Sequence, residues 1–241
     1  MNALLRTGSF TSSEIGALMT EGKAKGSFGA PALTYIEEKN MERRLGRALK
    51  NEPDAKPLDW GHLCEGFVFE MLGIEYSTQS KQTIVHPDFD CWVGTPDSVC
   101  YQEYNTAVDV KSPFTLKSFC QLVDGWKANG IQGIRDNHKE GDKYYWQIVS
   151  NAILTRCSEG ELIVFCPLES QVSGLVQRGI DQYDWLMYAG MENLPWLPDN
   201  NGHYNSLNKF RFPIPEADRK LLTNRVVEAV KMLVNSKLVT A

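Results

Sequence analysis

Asp97, Asp109 and Lys111 are the residues whose types and spacing point to chemistry. Asp97 closes the run Gly94-Thr95-Pro96-Asp97, and Asp109-Val110-Lys111 follows a short way downstream. Alternate residues of a strand share a face, so Asp109 and Lys111 project together while Val108 and Val110 bury on the other side. If the polar stretch 102–106 is a hairpin connection, it folds the chain back and Asp97 approaches Asp109. Pro96 fixes φ just ahead of Asp97 and removes a ladder donor, which splays the strand and re-aims the carboxylate. Two carboxylates and an ammonium on one surface suit a hard divalent cation such as Mg2+, with the lysine placed to orient or deprotonate an attacking water. Standing alone, a strand reading Asp-Val-Lys is a solvated face with a surface ion pair. Here both segments embed charge among apolar strand residues, and buried charge needs a partner or a metal.

The elements that must position this hairpin follow from periodicity. Residues 11–19 read as a helix start, with Ser12 or Ser13 as cap and Ile15, Leu18 and Met19 as an apolar stripe. The Gly- and Lys-rich stretch 22–31 reads as a mobile loop able to close over a ligand. An amphipathic helix over 32–49 carries Glu37, Glu38, Glu42, Arg43 and Arg44, and residues 51–57 break it. A strongly apolar helix spans 58–72, with Gly73 as its C-cap. From 75 to 111 the pattern alternates, giving three strands within 74–86, 92–101 and 107–112. Helix returns over 114–123, then a loop or irregular helix over 124–141 and a helix over 142–156. A strand is expected at 161–168, another at 172–178, a helix beginning at 181–191, and a long amphipathic helix at 215–237. That order predicts an α/β fold with a central mixed β-sheet flanked by helices.

Bulk properties narrow the function classes without choosing one. The chain has 241 residues, 42% hydrophobic and 23% charged, which supports a packed core rather than disorder. We read residues 1–241 as one domain. The net charge of -5 does not by itself suggest a nucleic-acid binder, but a local basic channel suffices for an enzyme that must release a polyanion. No run approaches the length of a membrane span, and the apolar stretch at the N-terminus is too short for a secretory signal. Six scattered cysteines lack CxxC spacing, which argues against zinc or iron–sulfur ligation and fits a reducing, cytoplasmic setting. His62, His86, His138 and His203 lack metal-ligand spacing and receive no role.

Gly94-Thr95-Pro96-Asp97 followed by Asp109-Val110-Lys111 resembles the motif of the PD-(D/E)XK nucleases. The segments 6–19, 59–72, 108–115 and 144–155 resemble, in order, the blocks of the phage lambda-type exonucleases (the alkaline exonuclease or YqaJ-like viral recombinase family). The similarity runs in blocks over residues 6–166, and four ordered blocks are far more specific than one. It implies a restriction-endonuclease-like core.

The resemblance also implies roles. Glu65 matches a helix glutamate that completes the metal site, and its apolar neighbours Leu63, Phe67 and Val68 make that helix a poor place for an unpaired carboxylate. Glu70 reads as surface. Asp97, Asp109 and the backbone carbonyl of Val110 would bind metal, although the family often has glutamate where Asp109 stands. Lys111 would position water and stabilise charge on phosphate. Gln147 matches a glutamine at the catalytic centre, and Arg6 and Ser13 match a 5′-phosphate grip, although Ser13 also reads as an ordinary N-cap. Tyr144, Lys117, Lys23 and Lys25 are candidate DNA contacts. Core packing competes for Tyr144, Tyr145 and Trp146, and simple solvation competes for the lysines. The implied cofactors are two Mg2+ ions, with Mn2+ able to substitute. The implied partners are double-stranded DNA ends, two further copies in a homotrimeric ring, and a single-strand annealing protein, in a phage or prophage setting. The expected activity is a 5′-to-3′ exonuclease that leaves 3′ tails for recombination. The rivals are a structure- or sequence-specific endonuclease, an iron–sulfur nuclease, which the cysteine pattern disfavours, and a non-catalytic DNA-end-binding protein.

Overall fold

The segment Glu161-Leu-Ile-Val-Phe165 is apolar at every position after its first, which suits a strand buried on both faces. It forms the middle of β6 (Glu159–Phe165), a central strand of a four-stranded sheet. The computed structural model describes residues 5–49, 55–76, 82–100 and 105–234. The sheet order is β4 (Ser98–Cys100), β5 (Thr106–Lys111), β6 and β7 (Leu207–Pro213). β5 and β6 run parallel, while β4 and β7 are antiparallel to their neighbours. A smaller sheet joins β1 (Phe10–Thr11) and β2 (Ile84–Val85) to β3 (Trp92–Gly94).

Alternation along β6 sends its side chains into two cores. Leu162 and Val164 pack with Phe119, Ile148, Phe210, Leu222 and Val226. Those partners come from β7 and from α3 (Leu116–Asn137), α4 (Gly141–Thr155) and α6 (Glu216–Lys231). Ile163 and Phe165 pack on the other face with Val108, Val110, Trp60, Val68 and Leu175. That layer is built by α2 (Lys56–Met71) and α5 (Glu169–Gly179). The fold is therefore mixed α/β, with helices on both faces of a mixed sheet.

Several local expectations change. Residues 75–111 do not form one three-strand meander. The chain leaves β3 at Thr95-Pro96-Asp97 and enters the larger sheet as β4, so the two strands on either side of Pro96 belong to different sheets. Part of the first expected strand and most of the hairpin connection 102–106 lie outside the described residues. After Thr11 of β1, residues 12–19 hold only a 3-10 turn, Ile15–Met19, whose cap position falls on Glu14 without a side-chain bond, while Ser12 Oγ meets Ser150 Oγ at 2.8 Å. Ile15 and Leu18 are buried as expected.

The stretch 22–31 is anchored rather than free. A bridge pairs Glu21 with Phe28, and α1 (Ala30–Leu45) begins directly after it. Arg225 of α6 donates to the carbonyls of Leu18, Thr20, Gly26 and Ser27, which fixes the stretch to the last helix. α2 ends with extended backbone at Leu72, so Gly73 does not serve as a left-handed cap.

The glycine-scattered region after 124 is the irregular-helix alternative. α3 doubles back at Asn129–Gly130, where Gly130 adopts φ +55°. Gly125 and Gly133 then meet backbone to backbone, and a Cβ on either would collide with the other. Residues 172–178, expected as a strand, lie in α5, with Val172, Leu175 and Gly179 buried along one helical face. The helix expected from 181 is only a 3-10 turn, Asp184–Tyr188. β7 was not expected at all. All six cysteines are free.

Candidate active site

β5 places the two core valines away from Asp109, as its alternation requires. Val108 and Val110 enter the α2/α5 core, whereas Asp109 is 1% exposed and faces α4. There Gln147 Nε2 donates to Asp109 Oδ1 at 2.6 Å. Lys111 Nζ lies 2.7 Å from Asp109 Oδ2 as an ion pair, yet Oδ2 carries no aligned hydrogen bond. One buried carboxylate oxygen therefore keeps a lone pair uncommitted.

Asp97 arrives from the break between the sheets. Its Oδ2 accepts the Val110 backbone N–H at 2.7 Å. N–H and C=O of one strand residue point to the same side, so the Val110 carbonyl also faces Asp97. Gly94, just before the break, lets the end of β3 pack closely on α4, since a Cβ there would run into Ser12, Asn151 and Leu154. Burial, then the charges of Asp109 and Glu65, push the Asp97 carboxyl up to about 8, against the pull of Lys111. Burial works against charge on Lys111, but Asp109 and Asp97 outweigh it and hold its ammonium above the ordinary lysine range.

These groups open onto a cleft of about 790 Å3 lined by Glu65, Asp97, Val110, Lys111, Tyr144, Gln147, Arg6 and Ser13. Asp109 sits just behind its wall. Lys117, Lys23 and Lys25 are exposed and lie outside its lining. Tyr144 faces the cleft with Lys111 Nζ 5.2 Å from its ring centroid, while Tyr145 and Trp146 are buried in the core. Glu70 forms an exposed ion pair with Arg178, as a surface residue should.

Arg6 and Ser13 reach the cleft through a clamped turn. Gly8 adopts φ +66°, its N–H donates to buried Glu42, and its carbonyl accepts from Arg43 Nε. Ser13 Oγ lies 3.3 Å from Thr11 Oγ1 and caps no helix.

Among the described residues, no three His, Cys, Asp or Glu side chains converge into a ready metal cage. The donors still fit a divalent cation in two respects. Burial, reinforced by the charges of Asp109 and Glu65, favours a proton on Asp97, and Asp109 Oδ2 is a buried oxygen met only by the Lys111 ammonium among the described residues. A cation would relieve both.

Sequence reasoning missed several groups on the cleft wall: Ser118, His138, Lys139, Glu140 and Lys143. Lys139 and Lys143 were visible as cations flanking the Tyr144–Gln147 segment. His138 was not, because its place depends on how α3 folds back.

A mixed sheet with a broken strand delivering Asp97 beside an Asp-Val-Lys strand is the core of the restriction-endonuclease-like fold. Residues 3–158 match the YqaJ-like viral recombinase domain, and the chain belongs to that family. Among solved structures it is similar to an alkaline exonuclease (LHK-Exo) from Laribacter hongkongensis, at 13% identity and TM-score 0.58, covering 95% of this chain and 89% of that one. The same protein in complex with dAMP gives 13% identity and TM-score 0.57 over the same shares. A phage related exonuclease from Haemophilus somnus 129PT gives 13% identity and TM-score 0.58, covering 93% of this chain and 92% of that one. These likenesses establish the fold. A search of curated proteins returns no match. No helix among the described residues is long and apolar enough to cross a membrane.

Proposed function

We propose that this chain is a Mg2+-dependent deoxyribonuclease that degrades one strand of duplex DNA 5′-to-3′ from its ends, leaving 3′ tails for recombination. The observation that carries the reading is the meeting of Glu65, Asp97, Lys111 and Gln147 with Arg6 and Ser13 in one cleft, with Asp109 directly behind. Membership of a viral recombinase family and the fold of alkaline exonucleases support it.

Glu65, Asp97, Asp109 and the Val110 carbonyl would hold the cations, two in the fullest arrangement, with Mn2+ able to replace Mg2+. Such ions would polarise the scissile phosphate and acidify a bound water. Gln147 fixes Asp109 by holding Oδ1, which leaves Oδ2 directed elsewhere. Lys111 stays charged beside Asp109, so it orients water and stabilises phosphate charge rather than removing a proton. Arg6 and Ser13 supply guanidinium and hydroxyl donors for a 5′-phosphate.

The reading extends to one nuclease domain over residues 1–241, a homotrimeric ring around the duplex, an annealing-protein partner, and a phage or prophage protein at work in the bacterial cytoplasm. The test is digestion of end-labelled linear duplex with and without Mg2+, beside covalently closed circles. Loss of the 5′ label from linear DNA alone is expected. Cutting of closed circles would make the chain an endonuclease, and no hydrolysis of either would make it an end-binding protein.

A further inference from the structure

Ser118 and His138 form a pair at the cleft wall that no role assigned above uses. Ser118 sits in the first turn of α3, and the return of the chain beyond Gly130 carries His138 back to it, with Nε2 and Ser118 Oγ 2.7 Å apart. His138 is 4% exposed, and its ring stacks on Tyr144 with centroids 5.5 Å apart.

The backbone fixes the tautomer. His138 Nδ1 accepts the Glu140 N–H at 3.2 Å, so in the neutral ring the proton resides on Nε2. Burial holds the imidazole below its usual pKa, which favours that neutral ring, with Lys139 acting in the same sense and Glu140 against it. Nε2–H therefore donates to Ser118 Oγ. A Ser–His nucleophile needs the reverse, a bare Nε2 that accepts the hydroxyl proton. The pair is thus wired against covalent catalysis and for hydrogen-bond donation.

A serine hydroxyl that accepts one bond still has its own O–H to give. Ser118 Oγ has no other hydrogen bond among the described residues, and the residue lines the cleft with Lys111, Lys139 and Lys143. We infer that Ser118 donates its hydroxyl proton to a phosphate oxygen of the bound nucleic-acid strand, and that His138 is the positioning residue that aims it. This rests on the nuclease reading and adds a backbone contact separate from Arg6 and Ser13.

The test uses the full chain with Ser118→Ala, Ser118→Thr, His138→Phe, His138→Gln and the double variant Ser118→Ala/His138→Phe. Two quantities are read: kcat and KM on linear duplex with Mg2+, and duplex affinity with Ca2+. Ser118→Ala is expected to raise KM and weaken affinity about tenfold with little change in kcat, as loss of one bond to a charged group should. Ser118→Thr keeps the hydroxyl and should stay near wild type. His138→Phe keeps the stack but loses the donor and should copy Ser118→Ala, and His138→Gln should recover part of the loss. The double variant should be no worse than Ser118→Ala alone. Unchanged KM and affinity in Ser118→Ala, or full additivity in the double variant, would overturn the assignment and leave the pair as α3 packing. If His138→Phe fails to fold, the serine variants and His138→Gln carry the decision. A wild-type protein that binds duplex but does not cut it refutes the nuclease reading alone, and the affinity series still decides for Ser118.

Discussion

Asp97 takes the backbone N–H of Val110 at 2.7 Å, the donor that an unbroken β4 would have engaged at Pro96. The ladder stops at Ser98–Val108, and a side chain completes it one step further. The proline break therefore puts a side-chain carboxylate where the ladder would have used a backbone carbonyl. In the proposed function, Asp97 would hold a cation only while it stays tied to the strand that carries Asp109.

Asp109→Ala should leave a folded protein that has lost more than about 10²-fold in Mg2+-dependent hydrolysis, because the change removes a ligand and strands the Lys111 ammonium. Circular dichroism and the end-labelled assay check it together. A folded variant with full activity would remove Asp109 from the site.

Gln147 acts through the carboxylate it holds. Gln147→Leu preserves bulk but frees Asp109 Oδ1, and kcat should fall roughly 10- to 100-fold, the range seen when a ligand's supporting partner is lost. KM should move little. A change confined to KM would make Gln147 a DNA contact instead.

Asp97 links the site to pH. Its folded pKa, about 8, lies above the ordinary 3.8, so the folded chain favours the protonated form. The stability from that proton is complete below pH 4 and is lost as pH rises through about 8. In chelator, Asp97→Asn should therefore melt higher than wild type at pH 8–9, with the gap closing towards pH 4. A cation takes the ionised form, so apparent Mg2+ affinity should climb between pH 6 and 8 and then level. Titration calorimetry at four pH values reads this directly. A flat profile would contradict it.

Replacing a 5′-phosphate by a 5′-hydroxyl should slow digestion, and Arg6→Ala should erase the difference. Discrimination that survives in the variant would mean another group clamps the phosphate. Paired initial rates on the two ends settle the matter.

Arg225→Ala removes four bonds to carbonyls around residues 18–27. The loss should be about 3 kcal/mol, or roughly 10 °C in Tm, since the Leu18 and Gly26 carbonyls are left without this donor, while Thr20 and Ser27 keep the Gly29 and Gly22 N–H groups. Thermal melts in a saturating cation check it.

Much of this was legible in the residues. Charge embedded in the Val108–Lys111 alternation marked the face that carries Asp109, and scattered cysteines marked free thiols. Other features failed for particular reasons. The segment 172–178 holds the β-branched Val172 and Val176, yet its buried residues fall at helical spacing in α5. β7 does alternate, with Phe210 and Phe212 inward and Lys209 outward, but the flanking loop residues drew no attention to it. The glycines of α3 look like loop punctuation because a doubled-back helix needs the same residue for a different reason, contact between backbones. The role of His138 was beyond reach, since it arises only after the chain reverses at Gly130 and returns to Ser118.

The hold of Arg225 on residues 18–27 also sets an order of events during synthesis. The cleft residues discussed above all lie at or before residue 147, but residues 18–27 gain this anchor only once α6 has been made. A nascent chain halted before that helix carries the full set of acidic and basic groups without the fastening of residues 18–27. Residues 18–27 are therefore fastened only after α6 has been made, later than every residue of the cleft.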